Sequence, residues 1–315
     1  MTDLKATRVA DAVTGSWVDT RAPQSVRPYL QLMRADRPIG TWLLLWPGWW
    51  ALAFAAHLQG KILPDPLLFA LFGIGAIVMR GAGCVYNDIV DHEFDAKVAR
   101  TRSRPIPSGR VSLRQAWAFA VALSLVGFVI LLQFNWLAIG LGVASLLLIA
   151  IYPFMKRITW WPQFFLGLAF NWGAILGWAA ATGRVDPAAV VLYIGGISWT
   201  LGYDTIYAHQ DKEDDALIGV KSTARRLGAA TKPWLMGFYS AALCLFALAG
   251  TLAGAGLIFL LGIAAAAIHA LWQIRTLNID DPDRCLTLFR ANRDFGWIVF
   301  LAIVADAAMT AVDWL

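Results

Sequence analysis

Long apolar runs broken by short polar stretches dominate the chain from residue 39 onward. A helix needs about 20 predominantly apolar residues to cross the hydrocarbon core of a bilayer. Runs of that kind lie near 39–58, 67–90, 113–133, 136–153, 160–181, 188–208, 232–250, 254–274 and 294–314, the third and fourth separated by little more than Asn135. The pattern predicts an all-α integral membrane protein with nine transmembrane helices. Residues 1–33 hold no apolar segment of the signal-peptide type and carry Asp3, Asp11 and Asp19, so they are expected to form a cytoplasmic tail rather than a targeting sequence. Residues 34–315 are then a single membrane domain.

Composition supports the spans and charge orients them. The chain is 59% hydrophobic and 15% charged, with a mean hydropathy of +0.60, outside the range of soluble globular domains. Under the positive-inside rule, cytoplasmic loops gather Lys and Arg. With the N-terminus cytoplasmic, every lysine and arginine except Lys61, Arg184 and Arg80 falls in the tail or at a cytoplasmic span end. The net charge of +5 is therefore topological, and basic loops facing anionic lipid require no nucleic-acid partner. Cys84, Cys244 and Cys285 share no spacing that signals disulfides or zinc and read as packing residues. The pairs Trp49–Trp50 and Trp160–Trp161 read as interfacial belt residues.

Against this background the stretch NDIVDHEFD at 87–95 stands out. Asn87, Asp88, Asp91 and Asp95 share one face of a helix, where like charges repel and water is scarce, so something positive is expected among them. A second acidic stretch, YDTIYAHQDKEDD, puts Asp204, Asp211 and Asp215 on a similar stripe at the end of the sixth span. An even number of crossings separates the two, which assigns them to the same side of the membrane. Hard oxygen donors without thiolate point to Mg2+, an ion that takes one or two carboxylates and leaves positions for water and phosphate. The neighbouring cations Arg100, Arg102, Arg104, Lys212 and Lys221 suit phosphate oxygens. Glu93, Glu213 and Asp214 lie off the stripes, and His92 and His209 are expected at the surface. The GVKST segment lacks the glycine spacing of a phosphate-binding P-loop.

Arg80 lies inside the second span, seven residues before Asn87, and an ionised group there needs an anionic partner. Either it forms an internal ion pair, with Asp204 a candidate, or it anchors an acidic substrate. Tyr152 and Lys156, four residues apart at the end of the fourth span, are belt residues or phosphate ligands. Asp306 in the last span reaches an interface or pairs locally.

These motifs resemble those of the UbiA-type intramembrane prenyltransferases over nearly the whole chain from Arg34. Asn87, Asp88, Asp91 and Asp95 reproduce the family's N-D-x-x-D-x-x-x-D, Asp211 and Asp215 its D-x-x-x-D, and Tyr152 and Lys156 its Y-x-x-x-K. RADRPIGTWLLLWP at 34–47, RGAGCVYND at 80–88, RSRPIPSG at 102–109 and the stretch at 203–224 ending in GVKSTA are most similar to the 4-hydroxybenzoate polyprenyltransferase branch, which serves ubiquinone synthesis. The resemblance implies nine helices around a central cavity in a bacterial inner membrane, with Mg2+ and substrate at its cytoplasmic mouth. It implies polyprenyl diphosphate and 4-hydroxybenzoate as substrates. The chemistry then asks Asn87, Asp88, Asp91, Asp95, Asp211 and Asp215 to hold Mg2+. It asks Arg100, Arg104, Tyr152, Lys156, Lys212 and Lys221 to meet the diphosphate, Arg80 the benzoate carboxylate, and Asp204 the phenol or its proton. A sister prenyltransferase acting on another aromatic acceptor or a sugar phosphate stays open. A cation transporter would distribute acid through the depth of the spans rather than at one face.

Overall fold

The computed structural model describes residues 15–97, 101–217 and 219–312. Among them the secondary structure is helical and contains no strand. The helices run α1 Trp17–Thr20, α2 Arg27–Leu32, α3 Ile39–Leu58, α4 Pro66–Asp95, α5 Leu113–Leu131, α6 Trp136–Ile158, α7 Pro162–Phe170, α8 Trp172–Thr182, α9 Pro187–Ala208, α10 Lys212–Leu217, α11 Thr223–Leu227, α12 Thr231–Leu252, α13 Leu257–Thr276, α14 Pro282–Arg290 and α15 Asn292–Val312. Local chemistry explains the boundaries. Asp65 Oδ1 accepts from the backbone N–H of Leu67 and Leu68 ahead of Pro66, which starts α4. Asn135 caps α6 by accepting from Ala138 N at 3.0 Å, so a very short connection is enough to separate α5 from α6. Gly183, at φ +72°, ends α8 in the left-handed conformation that glycine adopts without a Cβ penalty.

Among the described residues eight segments are long and apolar enough to cross a membrane: Ile39–Leu58, Pro66–Asp95, Leu113–Leu131, Trp136–Ile158, Pro162–Thr182, Thr223–Leu252, Leu257–Thr276 and Pro282–Ala311. The remaining expected span, 188–208, is the 22-residue helix α9. It falls outside the eight because Ser198, Thr200, Tyr203 and Asp204 lower its hydropathy.

The chain divides into two compact units, residues 1–41 with 74–131, and residues 42–73 with 132–315. The first unit is built on Leu32, Val85, Ile89, Ile106, Val111, Ala116 and Ala120, with Tyr29, Phe119 and Leu123 packed against them. Leu32 and Tyr29 belong to α2, so this short helix within the expected cytoplasmic tail enters the core. Fully burying an aliphatic side chain stabilises by about 1.5–3 kcal/mol, enough to hold so short a helix in place. On the other side of α5, Trp117, Val121, Leu125 and Val129 are exposed, as a lipid-facing stripe would be.

The second unit is packed around aromatic rings. Trp46, Trp50, Trp178, Trp199, Phe246 and Phe295 are all buried, and Trp50 donates to Gly296 O at 3.0 Å. Trp50 is thus a core residue rather than half of an interfacial pair, and Trp49 stacks on Phe69 at 3.8 Å. Trp160 lies under the Arg225 guanidinium instead. Helices α3 and α8 approach backbone to backbone: a Cβ on Gly177 would meet Gly48 O at 2.8 Å. Gly173 and Gly177 form a small-xxx-small pair of the kind that permits such contact. Asp306 pairs locally, accepting from Gly256 N and Phe259 N and meeting His57 Nε2 at 2.9 Å.

Candidate functional site

In the first unit the acidic stretch closes α4. The three- and four-residue spacing sets Asp88, Asp91 and Asp95 on one buried face, at 0%, 1% and 8% exposure, with Asn87 half-buried. Among the described residues, the guanidiniums of Arg34 and Arg104 meet this face. Arg34 Nη2 donates to Asp88 Oδ1 at 2.6 Å, and Arg104 Nη1 donates to the same oxygen at 3.3 Å and to Asp95 Oδ2 at 2.7 Å. Some of the positive charge that the sequence demands is therefore supplied by the chain itself. Buried carboxylates are tolerated only when paired in this way.

The loop that delivers Arg104 is itself braced. Gly109, at φ +73°, turns the chain so that Val111 N reaches Pro105 O at 3.0 Å. Thr101 Oγ1 donates to Asp95 O, and Arg110 donates to both Ser103 O and Gln31 Oε1. Gln31 donates in turn to Asp19 Oδ1 at 3.1 Å. Burial holds the Arg110 guanidinium below the usual arginine range, opposed by the Asp19 carboxylate. Arg100 lies outside the described residues, and Arg102 is exposed.

Deeper on α4, the half-buried Arg80 donates to Cys84 Sγ. Gly40 makes room for it: a Cβ there would lie 2.5 Å from Arg80 Nε and 2.7 Å from Nη2. This close approach gives the glycine of RPIG a physical reason.

In the second unit the expected single helical stripe is interrupted. Asp204 lies in α9, Asp211 in a 3₁₀ turn, His209–Asp211, and Asp215 in the separate helix α10. Two tethers account for the break. His209, expected at the surface, is 2% exposed with Nε2 2.9 Å from Thr231 Oγ1. Burial, with Lys212 nearby, lowers its pKa to about 4, so it is neutral at pH 7. Lys212, expected to meet diphosphate, instead donates to Ile279 O and to Asp280, holding the Asp280 carboxyl below its ordinary value. Asp204, Asp211 and Asp215 are each half-buried.

Lys221 is anchored to the end of α6. Its N–H donates to Lys156 O at 2.9 Å and its Nζ to Ile158 O at 3.0 Å. Tyr152 and Lys156, both half-buried, therefore sit beside the GVKST segment within this unit. Arg225 Nη1 donates to Asp215 O, tying that segment to α10.

A divalent cation fits the donor chemistry of the first unit. Asp88 Oδ2 is buried without a hydrogen-bond partner, although Oδ1 of the same carboxylate serves two arginines. Such an orphaned oxygen is costly unless something positive meets it. Among the described residues no three His, Cys, Asp or Glu side chains converge as a ready-made metal cage. Mg2+ takes one or two carboxylates, keeps several waters and is completed by phosphate oxygens. Arg34 was not visible as a site residue from the sequence. The contact spans 54 positions, and only the basic residues around RADRP hint at it.

Known proteins include clear relatives of this chain. The model of the UbiA prenyltransferase family matches residues 44–304. The 4-hydroxybenzoate polyprenyltransferase, mitochondrial, of Drosophila pseudoobscura pseudoobscura is 49% identical over 92% of this chain and 72% of its own. The enzyme of the same name from Homo sapiens is 50% identical over 90% of this chain and 76% of its own. Among solved structures, the apo UbiA homologue from Aeropyrum pernix K1 superposes with a TM-score of 0.69 at 25% identity, covering 84% of this chain and 97% of that one. The UbiA homologue from Archaeoglobus fulgidus bound to GPP and Mg2+ gives 0.65 at 18% identity, covering 88% and 99%. The expected bacterial inner membrane is corrected by these relatives, whose names are mitochondrial; the multi-pass membrane character stands.

Proposed function

The chain belongs to the UbiA prenyltransferase family, and from that premise we propose that it is a 4-hydroxybenzoate polyprenyltransferase, moving a polyprenyl group from its diphosphate to the ring carbon ortho to the hydroxyl. The carrying observation is the near-half identity to enzymes of that name over about nine-tenths of the chain. The buried, arginine-braced carboxylates of α4 are the geometric support. In this reading the chain crosses the membrane nine times, α9 included, with its N-terminus on the side where the basic loops gather.

In the first unit Asn87, Asp88, Asp91 and Asp95 are proposed Mg2+ ligands; within the second unit Asp211 and Asp215 are proposed Mg2+ ligands in their own right. When bound, Mg2+ offsets the charge that develops on a departing diphosphate. Arg100 and Arg104 in the first unit are proposed donors to diphosphate oxygens, and Tyr152, Lys156 and Lys221 are the proposed donors within the second. Lys212 is the weakest member of the set, since its ammonium is already engaged by Asp280. Arg80 holds the carboxylate of the aromatic acid. Asp204 is assigned to the phenol or to the proton released when the ring regains aromaticity. Apolar helices around the reacting groups keep water from the allylic cation while it attacks the ring.

The test is incorporation of ring-labelled 4-hydroxybenzoate into a lipid-soluble product by membranes containing the full chain, a polyprenyl diphosphate and Mg2+. Label transfer dependent on both the diphosphate and the metal supports the assignment. Transfer to another phenol but not to 4-hydroxybenzoate replaces the acceptor while leaving the family intact.

A further inference from the structure

Arg34 takes no role in the proposed reaction, yet it makes the shortest described ion pair to the acidic face. Its guanidinium is mostly buried and reaches Asp88 Oδ1 at 2.6 Å. Its backbone is unusual as well: at φ +60° Arg34 is the one non-glycine residue with positive φ among the described residues. A side chain there costs free energy that glycine would spare. A sequence that keeps arginine in such a conformation is using the side chain for something the turn alone does not supply.

The surroundings fix that side chain in place. Arg34 follows α2, whose Leu32 and Tyr29 pack into the core of the unit. Its N–H donates to Gln31 O, and Gln31 is tied to Asp19 on one side and Arg110 on the other. The N-terminal segment is therefore a strap that carries one guanidinium to one carboxylate oxygen. With Arg34 and Arg104 both on Oδ1, the second oxygen, Oδ2, is buried and has no hydrogen-bond partner.

We propose that Arg34 is a positioning residue for metal binding: by occupying Oδ1 of Asp88 it fixes the carboxylate so that Oδ2 is the oxygen offered to the divalent ion. This rests on the reading of the α4 carboxylates as Mg2+ ligands. Partners that orient metal ligands in this way set affinity, and their loss costs about 10–100-fold.

Purified full chain in detergent, with Mg2+ alone as the probe, separates the possibilities. The Mg2+-induced rise in melting temperature is measured for the wild type, Arg34→Gly and Arg34→Lys, alongside the Mg2+ concentration giving half-maximal prenyl transfer. Arg34→Gly relieves the backbone while removing the guanidinium. It is expected to lose the Mg2+ shift and to need at least about tenfold more Mg2+, with Arg34→Lys restoring some of both. If Arg34 only shapes the turn, Arg34→Gly keeps the wild-type shift and midpoint, and the proposal is overturned. Should Arg34→Gly not accumulate, Arg34→Lys decides: a weakened Mg2+ midpoint supports the proposal, and wild-type values refute it. A wild-type chain with no Mg2+ shift overturns the metal reading itself and this proposal with it. A normal wild-type shift retained by the variants overturns this proposal alone.

Discussion

The two acidic stretches look like repeats of one device, yet the units hold them differently. At the end of α4 the carboxylates are buried on an unbroken helix and clasped by Arg34 and Arg104. After α9 they are half-buried on a helix that tightens into a 3₁₀ turn and restarts, and the neighbouring Lys212 is committed to Asp280. Acid spacing alone therefore does not determine how acid is neutralised. Where cations come from the chain, the carboxylates belong to the fold.

The sharpest way to break this contrast is to neutralise one acid on each side. Asp88→Asn leaves two guanidiniums facing a neutral amide in a buried site. It is expected to reduce prenyl transfer by about a thousandfold and to destabilise the chain by about 3–5 kcal/mol, read from activity and melting temperature together. Asp211→Asn should also reduce transfer, by about a hundredfold, with a smaller loss of melting temperature, because the residue is half-buried where Asp88 is fully buried. Equal stability losses for the two would dissolve the distinction.

Gly40→Ala tests the arginine of the first unit by crowding it. The added Cβ meets the flexible end of Arg80, so stability should change little while the KM for 4-hydroxybenzoate rises about tenfold. An unchanged KM would remove Arg80 from acceptor binding. Lys212→Met, by contrast, is expected to alter transfer by less than about threefold, since its ammonium already serves Ile279 O and Asp280.

The smallest effect concerns pH. The neutral form of His209 is favoured in the folded chain, with a pKa of about 4 against about 6.5 when unfolded. Between these values the unfolded state binds more protons, so stability is intact above about pH 6.5 and falls as pH drops towards 4. His209→Gln, which keeps a polar partner near Thr231, should flatten the melting-temperature profile over that range.

Much of the architecture was legible because membrane spans are written as long apolar runs, and the helices lie within a few residues of those runs. The α4 stripe was equally plain, its periodicity unbroken through Asp95. What could not be read depended on partners distant in sequence. Arg34 needs Asp88, His57 needs Asp306, and the break after Ala208 needs Thr231 and Asp280. The packing of α2 was not legible because the helix is short and its apolar residues few; only the core that Tyr29 and Leu32 enter reveals it.

The most direct measurement is the structure of the product made from 4-hydroxybenzoate and a polyprenyl diphosphate, with Mg2+ present, chelated and then restored. The account predicts a benzoate prenylated on the carbon beside its hydroxyl, with phenol and carboxylate both free, formed only when the metal is available. An ether or ester product, or the same yield in chelator, would contradict it.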